Sequence, residues 1–282
     1  MRDNGIPETQ GRSGLDWFAG LAQEALGRLV FERDRQGVEP KQEHLAHFLQ
    51  VLADDSAVDP AILLEAMLAR HVDPGLVACG YATEAARALG ESWLQDELSF
   101  VDVTIRTERL HGLVRRVDEM VVAAAELAAK LDGPTALILV AEAEQHTLGA
   151  FVLALQLRLA GISAVVRVAP VAADLTVLMA ANRFDLALVS IGCTAGLDSG
   201  VGLVRTLRLM SRGEMRIYVG GAVPVSDEVL LARTGADRVL RDVSALLTDF
   251  DATVARRALA RTGKSSQRDA AVASLKGDQG DT

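Results

Sequence analysis

The sequence has few aromatic residues, few cysteines and no long apolar run. Aromatic residues make up 4% of the 282 residues although half of the chain is hydrophobic, which predicts an aliphatic core. The two cysteines, Cys79 and Cys193, match no zinc or disulfide spacing. No apolar run reaches the roughly 18 residues that a membrane-spanning helix needs, and the first residues do not resemble a signal peptide. These absences predict a cytoplasmic protein with no membrane span.

The chain also lacks an excess of basic residues. Its formal net charge is −9, whereas a protein that binds duplex DNA directly normally presents a basic face to the phosphates. One helical stretch concentrates basic residues among acids, and we interpret it as a solvated helix face; its members are Arg106, Arg109, Arg115 and Arg116. Direct, specific DNA binding is therefore not expected.

The first half of the chain has the apolar periodicity of helices. Asp59-Pro60 and Asp73-Pro74 each place a capping aspartate before a proline, which is typical of a helix start. We expect helices over residues 15–35, 42–52, 60–71, 74–94 and 100–131. This pattern predicts a helical bundle over residues 13–131, preceded by a loose arm over residues 1–12.

Beyond Asp132, short apolar runs alternate with helical segments, which is typical of a doubly wound parallel sheet. We expect strands over residues 135–141, 164–168, 186–191, 217–219 and 238–240, with helices over residues 149–160, 173–183, 199–211, 226–234 and 244–260. The expected fold is α/β, a helical bundle followed by a Rossmann-like, flavodoxin-like domain over residues 132–260. The polar segment 261–282 is predicted to be a disordered tail.

Three loops that follow strands carry the candidate site. They are Glu144 to Gly149, Ser190 to Gly196, and Gly220-Gly221. In a flavodoxin-like strand order the first, third and fourth strands are neighbours, so these loops converge at the carboxyl edge of the sheet, where α/β proteins bind ligands. Glycines there leave room for a ligand against the backbone.

The residues Glu144-x-His146-x-x-Gly149, Ser190-x-Gly192 and Gly220-Gly221 resemble the cobalamin-binding signature Asp-x-His-x-x-Gly, Ser-x-Leu, Gly-Gly. The resemblance implies that His146 ligates cobalt from below and that Ser190 and the glycine pair receive the displaced nucleotide tail. Glu144 replaces the aspartate that orients the histidine, and Gly192 replaces the leucine. The implied cofactor-binding set is Trp93, Glu144, Gln145, His146, Thr147, Gly149, Ser190, Gly192, Thr194, Gly220 and Gly221. The alternative for His146 is an ordinary loop histidine.

Residues 90–99 resemble the helical region that covers the corrinoid in such proteins, with Trp93 over the upper face of the ring. The alternative is that Trp93 belongs to the helical core. Light-sensing, DNA-binding cobalamin repressors have a Glu-His pair after the tryptophan, whereas this chain has Val103-Thr104. We therefore assign no upper ligand and expect no helix-turn-helix domain. The other histidines (His44, His47, His71 and His111) are expected to be surface or capping residues, Cys79 a core residue and Cys193 a packed thiol.

A helical region joined to a variant cobalamin domain is similar to the AerR/PpaA group of photosystem-gene antirepressors. That resemblance implies a non-enzymatic, light- or redox-responsive regulator that binds adenosylcobalamin or hydroxocobalamin and acts on a separate repressor of the PpsR/CrtJ type. Two alternatives remain open. In the first alternative the chain is a corrinoid carrier for a methyltransferase or mutase. In the second it is a sensor that binds haem on the same fold.

Overall fold

The computed structural model describes residues 40–54, 59–127, 133–142, 144, 146–241 and 243–248. The predicted arm, the helix expected over residues 15–35, Gln145 and the predicted tail lie outside the described residues. The chain divides into two compact units, Met1–Val239 and Leu240–Thr282. In the second unit residues 243–248 are helical, and the rest of the helix expected there lies outside the described residues.

The described part of the N-terminal half is helical. Its elements are α1 (Gln42–Ala53), α2 (Pro60–Leu68), α3 (Pro74–Leu76), a π-helical turn (Val77–Tyr81), α4 (Ala82–Leu94) and α5 (Phe100–Leu127). The two predicted capping aspartates are confirmed, because Asp59 accepts the Ala61 N–H at 2.9 Å and Asp73 accepts the Leu76 N–H at 3.1 Å. Of the helices in the described ranges, none combines the length and apolarity that a membrane crossing requires.

The second half alternates strands and helices as predicted. Its elements are β1 (Thr135–Val140), α6 (Leu148–Leu159), β2 (Ser163–Val168), α7 (Ala172–Ala181), β3 (Leu186–Ser190), α8 (Leu197–Met210), β4 (Arg216–Gly220), α9 (Asp227–Thr234) and β5 (Arg238–Leu240). The strand order is β2-β1-β3-β4-β5. Strand β1 pairs in parallel with β2 and β3, and β3 with β4, so the flavodoxin-like order is confirmed.

Helix α6 joins the bundle to the sheet. Its residues Leu148, Val152 and Leu155 belong to the same apolar core as the bundle helices, while Leu137 and Leu139 of β1 pack into a second core on the other face of the sheet. A polar contact reinforces the junction. Arg158 of α6 donates to Asp118 of α5 at 2.5 Å and to the Ala164 carbonyl of β2 at 2.6 Å. Helix α6, which follows the candidate histidine, is thus anchored on the bundle by Leu148 at its start and by Arg158 at its end.

Arg109 corrects the prediction of a fully solvated basic face on α5. Arg109 is only 7% exposed, and its Nη1 donates to the carbonyls of Leu52 and Asp54, each at 2.9 Å. These carbonyls lie at the end of α1, where helical acceptors lack partners within the helix. The guanidinium is buried because it satisfies them, and charge alternation in the sequence does not reveal this contact.

Candidate functional site

The three predicted loops begin side by side. In the sheet register, Val140 at the end of β1 pairs with Ser190, and Ser190 pairs with Gly220. The backbone continues these pairings past the strands, because the Ala141 N–H donates to the Ser190 carbonyl at 3.3 Å and the Ile191 N–H donates to the Gly220 carbonyl at 2.8 Å. The loops after β1, β3 and β4 therefore meet at one edge, as the sequence predicts.

The Glu144 carboxylate is the centre of this loop cluster. Its side chain has no exposed surface, and it accepts three N–H donors. Oε1 accepts the His146 backbone N–H at 2.7 Å and the His146 Nδ1 at 2.9 Å, while Oε2 accepts the Gly192 N–H. One buried acid thus binds the loop after β1 to the loop after β3.

The imidazole of His146 projects outward from this acid. Its side chain is 85% exposed. The hydrogen bond to Glu144 assigns the proton to Nδ1 and leaves Nε2 as the ring nitrogen that faces outward with its lone pair. A carboxylate on the second nitrogen also makes an imidazole a more basic metal ligand. The site therefore presents one oriented nitrogen ligand.

Metal ions take characteristic sets of ligands from proteins. Within the ranges that the structure describes, no group of three or more histidine, cysteine, aspartate or glutamate side chains is placed to hold a metal ion. Zinc and similar ions take three or four ligands from the protein. The described residues thus contain no site of that kind.

Two glycines are required where the loops approach each other. Gly221 has φ of +118°, and a Cβ there would collide with the backbone of Ile191. A Cβ at Gly192 would collide with the Glu144 carboxylate. By contrast, a Cβ at Gly149, in the first turn of α6, would meet nothing within 4 Å. Packing inside the chain thus explains the first two glycines, and Gly149 borders open space.

The remaining candidates lie on two sides of the cluster. Ser190 ends β3 beside Gly220, and Thr194 is exposed in the 3-10 turn Thr194–Gly196. Trp93 lies at the end of α4 and is 50% exposed, so it is not a core residue. The structure gives no contact that brings Trp93 to His146. Gln145 lies outside the described residues.

The structure adds a residue that we had expected to be a surface or capping histidine. His111 of α5 places its Nε2 3.4 Å from the Thr147 Oγ1, next to His146, and its ring lies edge-on to Phe151 with centroids 5.8 Å apart. Burial lowers the pKa of His111, and the Arg115 charge adds to this effect while Glu108 opposes it. The imidazole and the threonine hydroxyl share this hydrogen bond. Only the tertiary contact between α5 and α6 identifies this residue.

A single stripe of α5 leads from His111 toward the start of the helix. Phe100, Thr104, Thr107 and His111 recur every three or four residues, so they share one face. Phe100 at the far end is 71% exposed. This face presents an exposed aromatic ring and hydroxyl groups on the side of α5 that contacts Thr147, next to His146.

Comparison with known proteins identifies one sequence relative. An uncharacterized 20.5 kDa protein in the bchF-crtJ intergenic region of Rhodobacter capsulatus is 39% identical over 189 residues, which are 67% of this chain and 97% of that protein. No protein-family model matches the chain.

A solved structure shares the fold. The monomethylamine corrinoid protein of Methanosarcina barkeri matches with a TM-score of 0.56 and 18% identity, covering 73% of this chain and 96% of that chain. A cobalamin-binding protein of Desulfitobacterium hafniense DCB-2 matches with a TM-score of 0.39 and 17% identity, covering 72% of this chain and 95% of that chain. The first of these likenesses confirms the helical bundle and Rossmann-like sheet as a known combination.

Proposed function

The chain belongs to the family of the 20.5 kDa Rhodobacter capsulatus protein, and on that premise we propose that it is a cobalamin-binding regulator. It binds adenosylcobalamin or hydroxocobalamin through His146 and responds to light or redox state. It acts without catalysis, as an antirepressor that binds a separate repressor of the PpsR/CrtJ type.

The observation that carries the proposal is the single imidazole held by a buried acid. A corrinoid would bring its own ring ligands to cobalt and would take one more nitrogen from the protein, which His146 would supply. The site offers that one nitrogen, and Glu144 fixes its direction through the 2.9 Å bond to Nδ1. When bound, the cofactor supplies a cobalt centre whose upper ligand changes with light or redox state.

The loops beside His146 suit the other end of such a ligand. Gly220 ends β4, Gly221 follows it, and Ser190 ends the neighbouring strand, so small residues border the carboxyl ends of both strands. In our proposal the nucleotide tail lies against these strand ends. Ser190 and Thr194 then offer hydroxyl groups to its polar atoms, and Thr147 stays bonded to His111.

The bundle supplies the opposite face. Trp93 and Phe100 are exposed by 50% and 71%, so both rings are available to a ligand or a partner. In our proposal they lie over the upper face of the ring. Between Phe100 and His111 this stripe of α5 carries Thr104 and Thr107, and His111 contacts Thr147. Our proposal therefore assigns no upper ligand to the protein.

The regulatory part of the proposal draws on the relative. That protein is encoded in the bchF-crtJ intergenic region, and a repressor of the PpsR/CrtJ type is the partner that the AerR/PpaA resemblance implies. The net charge of −9 suits a protein that meets a repressor rather than DNA. In our proposal, light or redox state changes the relative populations of two conformations of the helical bundle, and the repressor binds one conformation better than the other.

The test combines cofactor loading with partner capture. Purified protein is loaded with adenosylcobalamin in the dark, and a tagged PpsR/CrtJ-type repressor is used to capture it before and after illumination. We expect a corrinoid spectrum on the protein and at least a threefold difference in capture between the two states. Equal capture in both states and without cofactor would contradict the regulator.

The same preparation separates the alternatives. A protein that takes up haem and gives a Soret band, but no corrinoid, is a haem sensor. A protein that accepts a methyl group on Co(I) from a partner enzyme, and ignores the repressor, is a corrinoid carrier. Our proposal expects neither result.

A further inference from the structure

The two residues that depart from the cobalamin signature touch each other. Glu144 stands where the signature has aspartate, and Gly192 stands where it has leucine. In the structure the Gly192 N–H donates to Oε2 of Glu144, across 48 positions of sequence. The departures therefore meet at a single contact.

The space around Gly192 is filled by this acid. A Cβ at position 192 would lie 2.8 Å from Cδ and 3.0 Å from Oε1 of Glu144, and closer still to Oε2. A flexible side chain usually moves away from such a contact at low cost. This carboxylate is held by His146 on its other oxygen and has no exposed surface, so moving it breaks those hydrogen bonds.

We propose that Glu144 and Gly192 are a matched pair that holds the loop after β1, which carries His146, and the loop after β3, which follows Ser190, as one unit. The longer acid occupies the volume that a side chain at position 192 would need. The Gly192 N–H donates to Oε2, the carboxylate oxygen that His146 does not bind. Gly192 is therefore a positioning residue for His146. An aspartate is shorter by one C–C bond of about 1.5 Å, which frees the volume that a leucine then fills.

The pairing connects His146 with the region beside Ser190. A change in the direction of His146 moves Oε1, and the rigid carboxylate transmits that movement through Oε2 to Gly192, two residues after Ser190. Ligation at the histidine and insertion of a tail beside Ser190 are thereby coupled. This consequence rests on the proposed function, whereas the pairing itself is a property of the protein without cofactor.

A double-mutant cycle tests the pair in the apo protein. The variants are Glu144→Asp, Gly192→Leu and the double variant, each unfolded in urea. We expect Gly192→Leu to lower the midpoint strongly and the double variant to unfold at a higher midpoint than Gly192→Leu alone. A double variant whose midpoint shift equals the sum of the two single shifts would overturn the proposal.

Two further measures keep the test decisive. If Gly192→Leu does not fold, Gly192→Ala enters the same cycle, since the Cβ alone makes the contact. The matched control cycle uses Glu142→Asp with Gly202→Leu, because Glu142 is exposed and a Cβ at Gly202 meets nothing within 4 Å. The control is expected to be additive, and coupling there as large as in the Glu144 cycle would overturn the pairing.

Titration with hydroxocobalamin provides a separate reading of the coupling. Loss of a group that orients a ligand histidine typically costs 10–100-fold in affinity. We expect a weakening of about that size in Gly192→Leu and recovery to within about threefold of the wild type in the double variant. No recovery in a stably folded double variant would overturn the coupling. A wild-type protein that binds no corrinoid would refute the proposed function, while the urea cycle would still decide the pairing.

Discussion

Replacing Glu144 with glutamine preserves the shape of the side chain but removes its charge and one acceptor oxygen. The carboxylate accepts two donors from His146 on Oε1 and one from Gly192 on Oε2. The better orientation of the amide keeps its oxygen on His146 and turns its NH2 group toward the Gly192 N–H, so two donors face each other. At least one charge-assisted hydrogen bond is lost.

The expected cost follows from that lost bond. Hydrogen bonds to charged groups contribute about 1.5–3 kcal/mol, which corresponds to roughly a 10- to 150-fold change in the folding equilibrium. Urea unfolding of the apo protein measures it as a lower midpoint with an unchanged m-value. Glu142→Gln, on an exposed neighbour, is the control and is expected to change stability by less than about 0.5 kcal/mol. A Glu144→Gln variant as stable as this control would refute the reasoning.

Three other predictions concern buried groups of the bundle. Burial raises the pKa of Cys79 to about 12, so iodoacetamide at pH 8 should alkylate it at least tenfold more slowly in native protein than in urea; peptide mass spectrometry showing equal rates would contradict this. Arg109→Met removes two bonds to carbonyls and should cost about 3 kcal/mol by urea unfolding, whereas exposed Arg115→Met should cost little. Burial lowers the pKa of His111, so the unfolded state binds its proton more readily and native stability falls as pH drops through about 6.5. His111→Gln should reduce that fall between pH 7.5 and 5.5, and an unchanged pH dependence of the urea midpoint would contradict it.

The order of elements and the position of the site could be predicted because both depend on local signals. Aspartate-proline pairs mark the starts of α2 and α3, and short apolar runs mark the strands. In a flavodoxin-like strand order, β1, β3 and β4 are neighbours. Their carboxyl ends therefore lie side by side, and the residues that follow them converge. Backbone geometry thus carries Glu144, Ser190 and Gly220 to one edge without any knowledge of side-chain contacts.

The contact of Glu144 with His146 could be predicted, since the two residues are close in the chain. Other contacts of the bundle and of the site could not be predicted, since they join residues far apart. Arg109 reaches carbonyls 55 and 57 positions away, and His111 meets Thr147 at a separation of 36. Periodicity reports which face of a helix is apolar, and it gives no partner for a polar group on that face. The exposure of Trp93 contradicts only the alternative that placed it in the helical core, and its proposed contact with a cofactor stays a prediction.

The most direct test of the account is the absorption spectrum of hydroxocobalamin on wild-type protein and on His146→Ala. His47→Ala, a histidine of α1, is the matched control. We predict that the wild type and the control bind hydroxocobalamin and shift its spectrum to that of a cobalt with an imidazole below it. His146→Ala should bind it weakly and leave the spectrum unshifted. A His146→Ala variant with the wild-type spectrum and affinity would contradict the central claim that this imidazole holds the metal.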